Sequence, residues 1–131
     1  MAEDGFALDN PALESVGVRI TAWSEGEVEL ALPLTPAMLN RSGVVHGGTI
    51  CTLLDAATGY SGLYSGAGAV LRHAVTLSLT TNFLANGVGA MLTARGVVER
   101  RGKSIFFARG EVWLDGALLV ATGVATMKYL K

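Results

Sequence analysis

Little in this chain is available for disulfide, metal or nucleic-acid chemistry. It carries one cysteine, Cys51. That excludes an intramolecular disulfide and a thiolate-rich metal site, and it fits a reducing compartment. No cluster of histidine, cysteine and carboxylate side chains has ligand spacing, so no metal is expected. Charged residues make up only 16% of the chain and the net charge is −1. Neither a nucleic acid nor an anionic membrane is an expected partner on that balance. No apolar run approaches the roughly 18 residues needed to span a bilayer. The opening MAEDGF has neither a basic nor an apolar signal region. A cytoplasmic location is the expectation.

What is present is apolar surface. The apolar fraction is 50% in 131 residues, a length typical of one domain. Such a chain has either a large core or a buried subunit interface. Residues 1–9 read as a loose tail, and 1–131 as a single domain. Asn10-Pro11 opens a short helix. Val16, Val18, Ile20 and Ala22 alternate with Gly17, Arg19, Thr21 and Trp23, the period of a half-buried strand. Ser24-Glu25-Gly26 turns it into a second strand through Val28, Leu30 and Leu32, which ends at Pro33. After a central helical stretch, Ser65-Gly66-Ala67-Gly68 reads as a flexible exit. Val75, Leu77, Leu79, Thr81 and Phe83 then alternate with Thr76, Ser78, Thr80 and Asn82. Asn86-Gly87 reads as a turn into strands over about 89–100 and 104–114, and Asp115-Gly116 as a hairpin turn into a last strand over about 117–129. The predicted order is a hairpin, one long helix and a four-strand antiparallel meander. There is no internal repeat. This α+β pattern, about six curved antiparallel strands round one helix, resembles the hotdog fold, in which dimerisation is usual.

The centre of the chain is Asn40–Tyr60, NRSGVVHGGTICTLLDAATGY. From about Gly47 to Leu63 it reads as a helix that is apolar nearly all round, and therefore buried. Asp55 interrupts the apolar run, and a buried carboxylate needs a partner. Thr52 and Thr58 are near neighbours that would satisfy it. The alternative is a base or nucleophile. His46-Gly47-Gly48 is either a simple turn or a helix start whose bare N–H groups face an oxyanion. Asp55 follows Gly47 by eight residues, roughly 12 Å along a helix axis. A nucleophile and an oxyanion donor must both come within about 3 Å of one carbonyl group. One helix cannot supply both, so the catalytic reading requires Gly47 of one subunit to meet Asp55 of another, by two-fold symmetry.

Taken together, Asn40, Gly43, His46, Gly47, Gly48, Leu53, Asp55 and Ala57 form N-x-x-G-x-x-H-G-G-x-x-x-x-L-x-D-x-A. This resembles the signature of hotdog-fold acyl-CoA thioesterases, most closely the phenylacetic acid degradation (PaaI-like) type. Ala74–Leu79 and Arg101–Ser104 resemble that family's next strand and a later hairpin. The resemblance implies that Asp55 activates water or attacks the thioester carbonyl, and that the partner's Gly47 N–H holds the carbonyl oxygen. It implies that Asn40 and His46 shape that end of the site and that the Thr76 hydroxyl holds the water. It also implies that Arg101, Gly102, Lys103 and Ser104 meet coenzyme A, which enters as part of the substrate and not as a cofactor. The acyl group would lie between two central helices, against Gly48, Leu54, Thr58 and Ser61. A homodimer with shared sites, doubled into a homotetramer, is the implied assembly. One departure is Ala85-Asn86-Gly87, where many relatives have a Pro-Ala pair.

Two other readings share the fold. A hydroxyacyl-thioester dehydratase pairs a His with an acidic residue across subunits, and His46 invites it. A non-catalytic acyl-CoA binder needs only the pocket. The helix-borne Asp55 and the HGG position suit hydrolysis better than dehydration.

Overall fold

The computed structural model describes residues 6, 8–66 and 72–131. Ala67 and Gly68 of the expected exit loop lie outside those residues, as do residues 1–5 and 7 of the expected tail. Helix α1 spans Pro11–Val16. Asn10 caps it by accepting from the Leu13 N–H, and Gly17 ends it at φ +96°, a left-handed position that favours glycine. Val16 is thus helical, and the first strand begins later than its alternation suggests. Strands β1 (Arg19–Ser24) and β2 (Glu27–Pro33) form the hairpin, and a 3-10 turn follows at Pro36–Met38. Helix α2 spans Gly47–Ser61, and β3 (His73–Phe83), β4 (Met91–Arg101), β5 (Ile105–Leu114) and β6 (Leu118–Leu130) complete the chain.

The six strands make one antiparallel sheet in the order β1-β2-β4-β5-β6-β3. Helix α2 lies on one face of it, which is the hotdog arrangement. The expected four-strand meander is corrected to three, β4-β5-β6. Strand β3 pairs with β6 at the sheet edge, and β4 pairs with β2. Asn86-Gly87 therefore belongs to a crossing and not to a hairpin. That crossing is tied down by Leu84 N–H to the Val120 carbonyl and by Val45 N–H to the Gly87 carbonyl. A two-residue turn would have had to pair β3 with β4, and β4 is already paired on both sides.

The sheet meets α2 through a row of glycines. Gly96 pairs with Gly110 and Gly110 with Gly123 across β4, β5 and β6. A Cβ at Gly96 would overlap the Ala57 carbonyl oxygen of the helix. One at Gly110 would lie 3.2 Å from Thr58 Cγ2, and one at Gly123 would lie 3.4 Å from Leu54 Cδ1. The helix therefore rests on backbone. Round this contact Leu30, Leu53, Leu54, Ala57, Leu92 and Val112 are fully buried, and their burial supplies the main driving force of the fold.

Two of the sheet's register shifts bear on the candidate site residues. In β1 the register shifts between Ile20 and Ala22, and in β3 between Thr76 and Ser78. Each reverses the strand's parity. Trp23 and Thr76, expected on the outward face, turn to the helix side. Val75 and Leu77, expected inward, are 43% and 53% exposed.

The beginning of the chain is docked where it is described. Phe6 bridges to Ile20 and meets Trp23 edge to face, with ring centroids 5.9 Å apart. Leu8 packs against the core. Asp9 accepts a hydrogen bond from the Tyr60 hydroxyl at 2.9 Å.

Candidate active site

Helix α2 bears two of the expected site groups, the His46-Gly47 start and Asp55 two turns on. His46 is its N-cap, and its Nδ1 accepts from the Gly48 N–H at 2.8 Å. That bond satisfies one of the first-turn donors and fixes the proton of a neutral ring on Nε2. The Thr49 and Ile50 N–H groups reach the His46 carbonyl. The Gly47 N–H has no partner among the described residues, and it stands at the positive end of the helix dipole.

Asn40 sits beside it as a turn residue. Its Oδ1 accepts from the Ser42 N–H at 2.8 Å and from the Val44 N–H at 3.3 Å. The turn uses the side-chain carbonyl and leaves the amide N–H pair for other acceptors. Asn40, Gly47, Ile50, Phe83 and Asn86 line a hollow of about 330 Å³.

Asp55 lies two turns further along. It is exposed in the single protomer, which corrects the expectation of a buried carboxylate. Gly48, Thr52 and Asp55 are the exposed positions of α2, and their helical spacing puts them on one face. The Thr76 hydroxyl donates to Asp55 Oδ1 at 2.5 Å, a short charge-assisted bond. The bulge in β3 is what aims Thr76 there. Asp55 and Thr76 line a second cavity, of about 160 Å³, with Trp23, Gly59, Tyr60 and Met127. Burial and Asp9 push the Tyr60 hydroxyl well above the ordinary tyrosine range, with burial the larger cause. Trp23, Tyr60 and Asp9 line this candidate site, and the sequence pattern does not single them out. The first needed the bulge to be visible, and the other two needed the docked N-terminal segment.

Three of the expected acyl-pocket residues lie elsewhere. Leu54, Thr58 and Ser61 are fully buried against the sheet. The Thr58 and Ser61 hydroxyls donate to the Leu54 and Thr58 carbonyls of their own helix, at 2.7 and 2.6 Å. They occur at i, i+4 and i+7, the stripe that packs on the glycine row. Cys51, read as a buried hydrophobe, is half-buried and faces Thr81, its Sγ 3.9 Å from Oγ1.

The turn expected to meet coenzyme A is joined to the same end of the helix as Asp55. Tyr129 donates its N–H to the Ser104 carbonyl and its hydroxyl to the Gly62 carbonyl, each at 2.8 Å. Gly102 N–H closes the turn on the Ile105 carbonyl at 2.7 Å. The Arg101 guanidinium pairs with Glu25, and the Arg72 guanidinium lies 4.2 Å from the centre of the Tyr129 ring, a cation–π contact. Lys103 and Ser104 are exposed. A hollow of about 450 Å³ opens on the other face of the sheet among Glu27, Arg95, Glu99 and Arg109. Those charges pair with one another, Arg95 with Glu27 and Arg109 with Glu99.

Comparison with known proteins places these features in context. The family model described as "Thioesterase superfamily" matches residues 42–121. The medium/long-chain acyl-CoA thioesterase YigI of Salmonella typhimurium is 25% identical over 137 residues, which cover 92% of this chain and 86% of that protein. Among solved structures, a conserved protein of Pseudomonas aeruginosa matches with a TM-score of 0.82 at 28% identity, over 98% of both chains. A phenylacetic acid degradation-related protein of Ralstonia eutropha matches with a TM-score of 0.79 at 32% identity, over 93% of this chain and 92% of that one.

Proposed function

This chain belongs to the thioesterase superfamily, in its PaaI-like hotdog branch, and from that premise we propose that it is an acyl-CoA thioesterase with a site shared between two protomers. The observation that carries the shared site is the separation of parts along α2. The carboxylate with its hydroxyl partner stands at one position, and an N–H group free to donate stands roughly 12 Å away. An antiparallel pair of helices would bring Asp55 of one protomer to Gly47 of the other, twice. The exposed stripe of Gly48, Thr52 and Asp55 supports this pairing, because small side chains permit close approach.

In the proposed reaction a water molecule near Thr76 gives a proton to the Asp55 carboxylate as its oxygen adds to the thioester carbonyl. The developing oxyanion accepts from the partner's Gly47 N–H. The tetrahedral intermediate collapses, the C–S bond breaks, and the coenzyme A thiolate takes the proton from Asp55. Direct attack by Asp55 through a mixed anhydride uses the same parts. Asn40 and His46 hold the oxyanion end in shape: His46 by capping the helix, Asn40 by closing the turn before it. Residues 101–104 are proposed to meet the coenzyme A portion, with Lys103 and Ser104 the groups left free to do so.

The test is thiol release from a panel of acyl-CoA thioesters by the wild type and by Asp55→Ala. Turnover that collapses in the variant supports the reading. Release of enoyl product from 3-hydroxyacyl-CoA, without free thiol, would replace it with the dehydratase. Tight binding without turnover would replace it with a binder.

A further inference from the structure

Tyr129, near the end of β6, is held at three points. Its N–H donates to the Ser104 carbonyl and its hydroxyl to the Gly62 carbonyl, each at 2.8 Å. Its ring lies against that of Phe106, with centroids 4.9 Å apart. The side chain is therefore a fixed platform between the 101–104 turn and the end of α2. Arg72 rests on this platform, its guanidinium carbon 4.2 Å from the ring centre. A ring face takes up none of the guanidinium N–H donors. Among the described residues those donors meet no carboxylate, whereas Arg95, Arg101 and Arg109 are each paired with a glutamate. Arg72 is thus an exposed cation fixed in place and open to an acceptor. It lines one cleft with Asp55 and Thr76. Its platform is tied to the chain at Gly62, seven residues past Asp55 and roughly 10 Å further along the helix axis.

We propose that Arg72 binds the phosphate at the end of the substrate's pantetheine arm, and that Tyr129 is the residue that positions it. The inference rests on the thioesterase reading above. A thioester of this kind carries its phosphate away from the reacting carbonyl, at the far end of a flexible arm. The group that reads the phosphate must therefore stand clear of Asp55 and still border the same cleft, and Arg72 does both. The planar guanidinium offers paired donors that match phosphate oxygens, and such charge-assisted bonds are the strong ones. Within the 101–104 turn the arginine is already engaged by Glu25, which leaves Lys103 as its only uncommitted cation. Tyr129 ties that turn down by its N–H and carries Arg72 on its ring, so one residue sets the spacing of both cations. Coenzyme A and a phosphopantetheinylated acyl carrier protein present the same phosphate, and Arg72 reads what they share.

The experiment holds the acyl group constant and varies its carrier: coenzyme A, acyl carrier protein, phosphopantetheine and pantetheine. Thiol release is measured for the wild type, Arg72→Gln, Arg72→Lys and Tyr129→Leu. The wild type is expected to favour phosphopantetheine over pantetheine about tenfold in kcat/KM, the worth of one charge-assisted contact. That ratio is expected to fall close to one in Arg72→Gln, through KM, and to survive in part in Arg72→Lys, which keeps the charge. In Tyr129→Leu, which keeps bulk and loses the ring face, it is expected to fall about threefold. A wild-type ratio near one overturns the proposal. So does a ratio that Arg72→Gln leaves unchanged, including an equal loss on every carrier, which would make Arg72 a structural residue. A ratio unchanged in Tyr129→Leu alone overturns the positioning role. If Tyr129→Leu fails to fold, the exposed Arg72 variants decide. Whichever of coenzyme A and carrier protein is turned over faster is the source of the phosphate, and either upholds the contact. Should the wild type hydrolyse nothing, the thioesterase reading falls, and calorimetric binding of coenzyme A and of pantetheine takes over. Preference for coenzyme A that disappears in Arg72→Gln would then still uphold the contact, and preference indifferent to the variant would overturn it too.

Discussion

The hydroxyl of Thr76 reaches Asp55 across the gap between the edge strand and the central helix, at 2.5 Å. The contact exists because β3 gains a residue between Thr76 and Ser78. Asp55→Asn keeps the shape and removes the base, so turnover should fall by about 10²- to 10⁴-fold, the usual worth of a positioned general base. Thr76→Val should lower kcat about tenfold and leave the melting temperature within a few degrees. Steady-state thiol release and thermal unfolding check both. An Asp55→Asn enzyme of wild-type rate would remove Asp55 from the mechanism.

Gly47 offers an unusually clean deletion. Proline is accepted at the first position of a helix, and His46 at φ −67° and ψ 135° is already in the region that precedes proline. Gly47→Pro therefore removes one N–H group and little else. Its kcat should fall about 10²- to 10³-fold, as for loss of an oxyanion donor, whereas Gly47→Ala should stay close to wild type. Mixing Gly47→Pro with Asp55→Ala chains through unfolding and refolding should restore about a quarter of wild-type activity, since half of the dimers would be mixed and each would own one intact site. No recovery on mixing would place both groups in one protomer.

The glycine row predicts a stability defect far from the chemistry. Gly96→Ala must push the Ala57 carbonyl aside and should cost about 3 kcal/mol or more, the upper range for overpacking. Gly110→Ala meets only side-chain and backbone atoms at 3.2 to 3.3 Å and should cost about 1 kcal/mol. Urea titrations of the two variants, read at equal m-value, give the comparison.

Tyr60 ties the docked N-terminal segment to the helix through Asp9. Its hydroxyl is held above the ordinary tyrosine value by burial and then by Asp9. The neutral form is thus favoured in the folded state. The stability this contributes is complete below about pH 10, where free tyrosine begins to ionise, and is lost as the pH rises beyond it. Tyr60→Phe should cost about 1 kcal/mol at neutral pH and flatten the alkaline limb of the stability profile. Amide exchange at residues 8–10 should speed up in the variant, and an unchanged rate would mean that Phe6 and Leu8 hold the segment without Asp9.

Much of the fold was legible because period and turn chemistry are local. The α2 boundaries, the β1–β2 hairpin at Ser24-Glu25-Gly26 and the Asp115-Gly116 turn all follow from neighbours in sequence. The pairing of β3 with β6 does not, because both choices bury the same alternating side chains. The bulges were invisible for a related reason: one inserted residue leaves the alternation of Val75, Leu77 and Leu79 intact on paper and reverses half of it in space. Asp55 lies on α2 as its spacing predicts, but in exposed and not buried surroundings. The apolar residues that flank it in sequence point to the sheet, and it points away from them. Leu54, Thr58 and Ser61 share that stripe, and their spacing already set them apart from Asp55.

The row of bare backbone beneath the helix also governs positional tolerance. Side chains can answer a disturbance by changing rotamer, but Gly96, Gly110 and Gly123 have none to change, and Gly96 meets the Ala57 carbonyl directly. The seat of α2 is therefore stiff, and any tilt of the helix must be shared by the whole sheet. Asp55 and Gly47 are borne on that one rod, so their spacing inherits its rigidity. In the proposed shared site, alignment of Asp55 with the partner's Gly47 would then depend on how two rigid bodies meet and very little on adjustment within either.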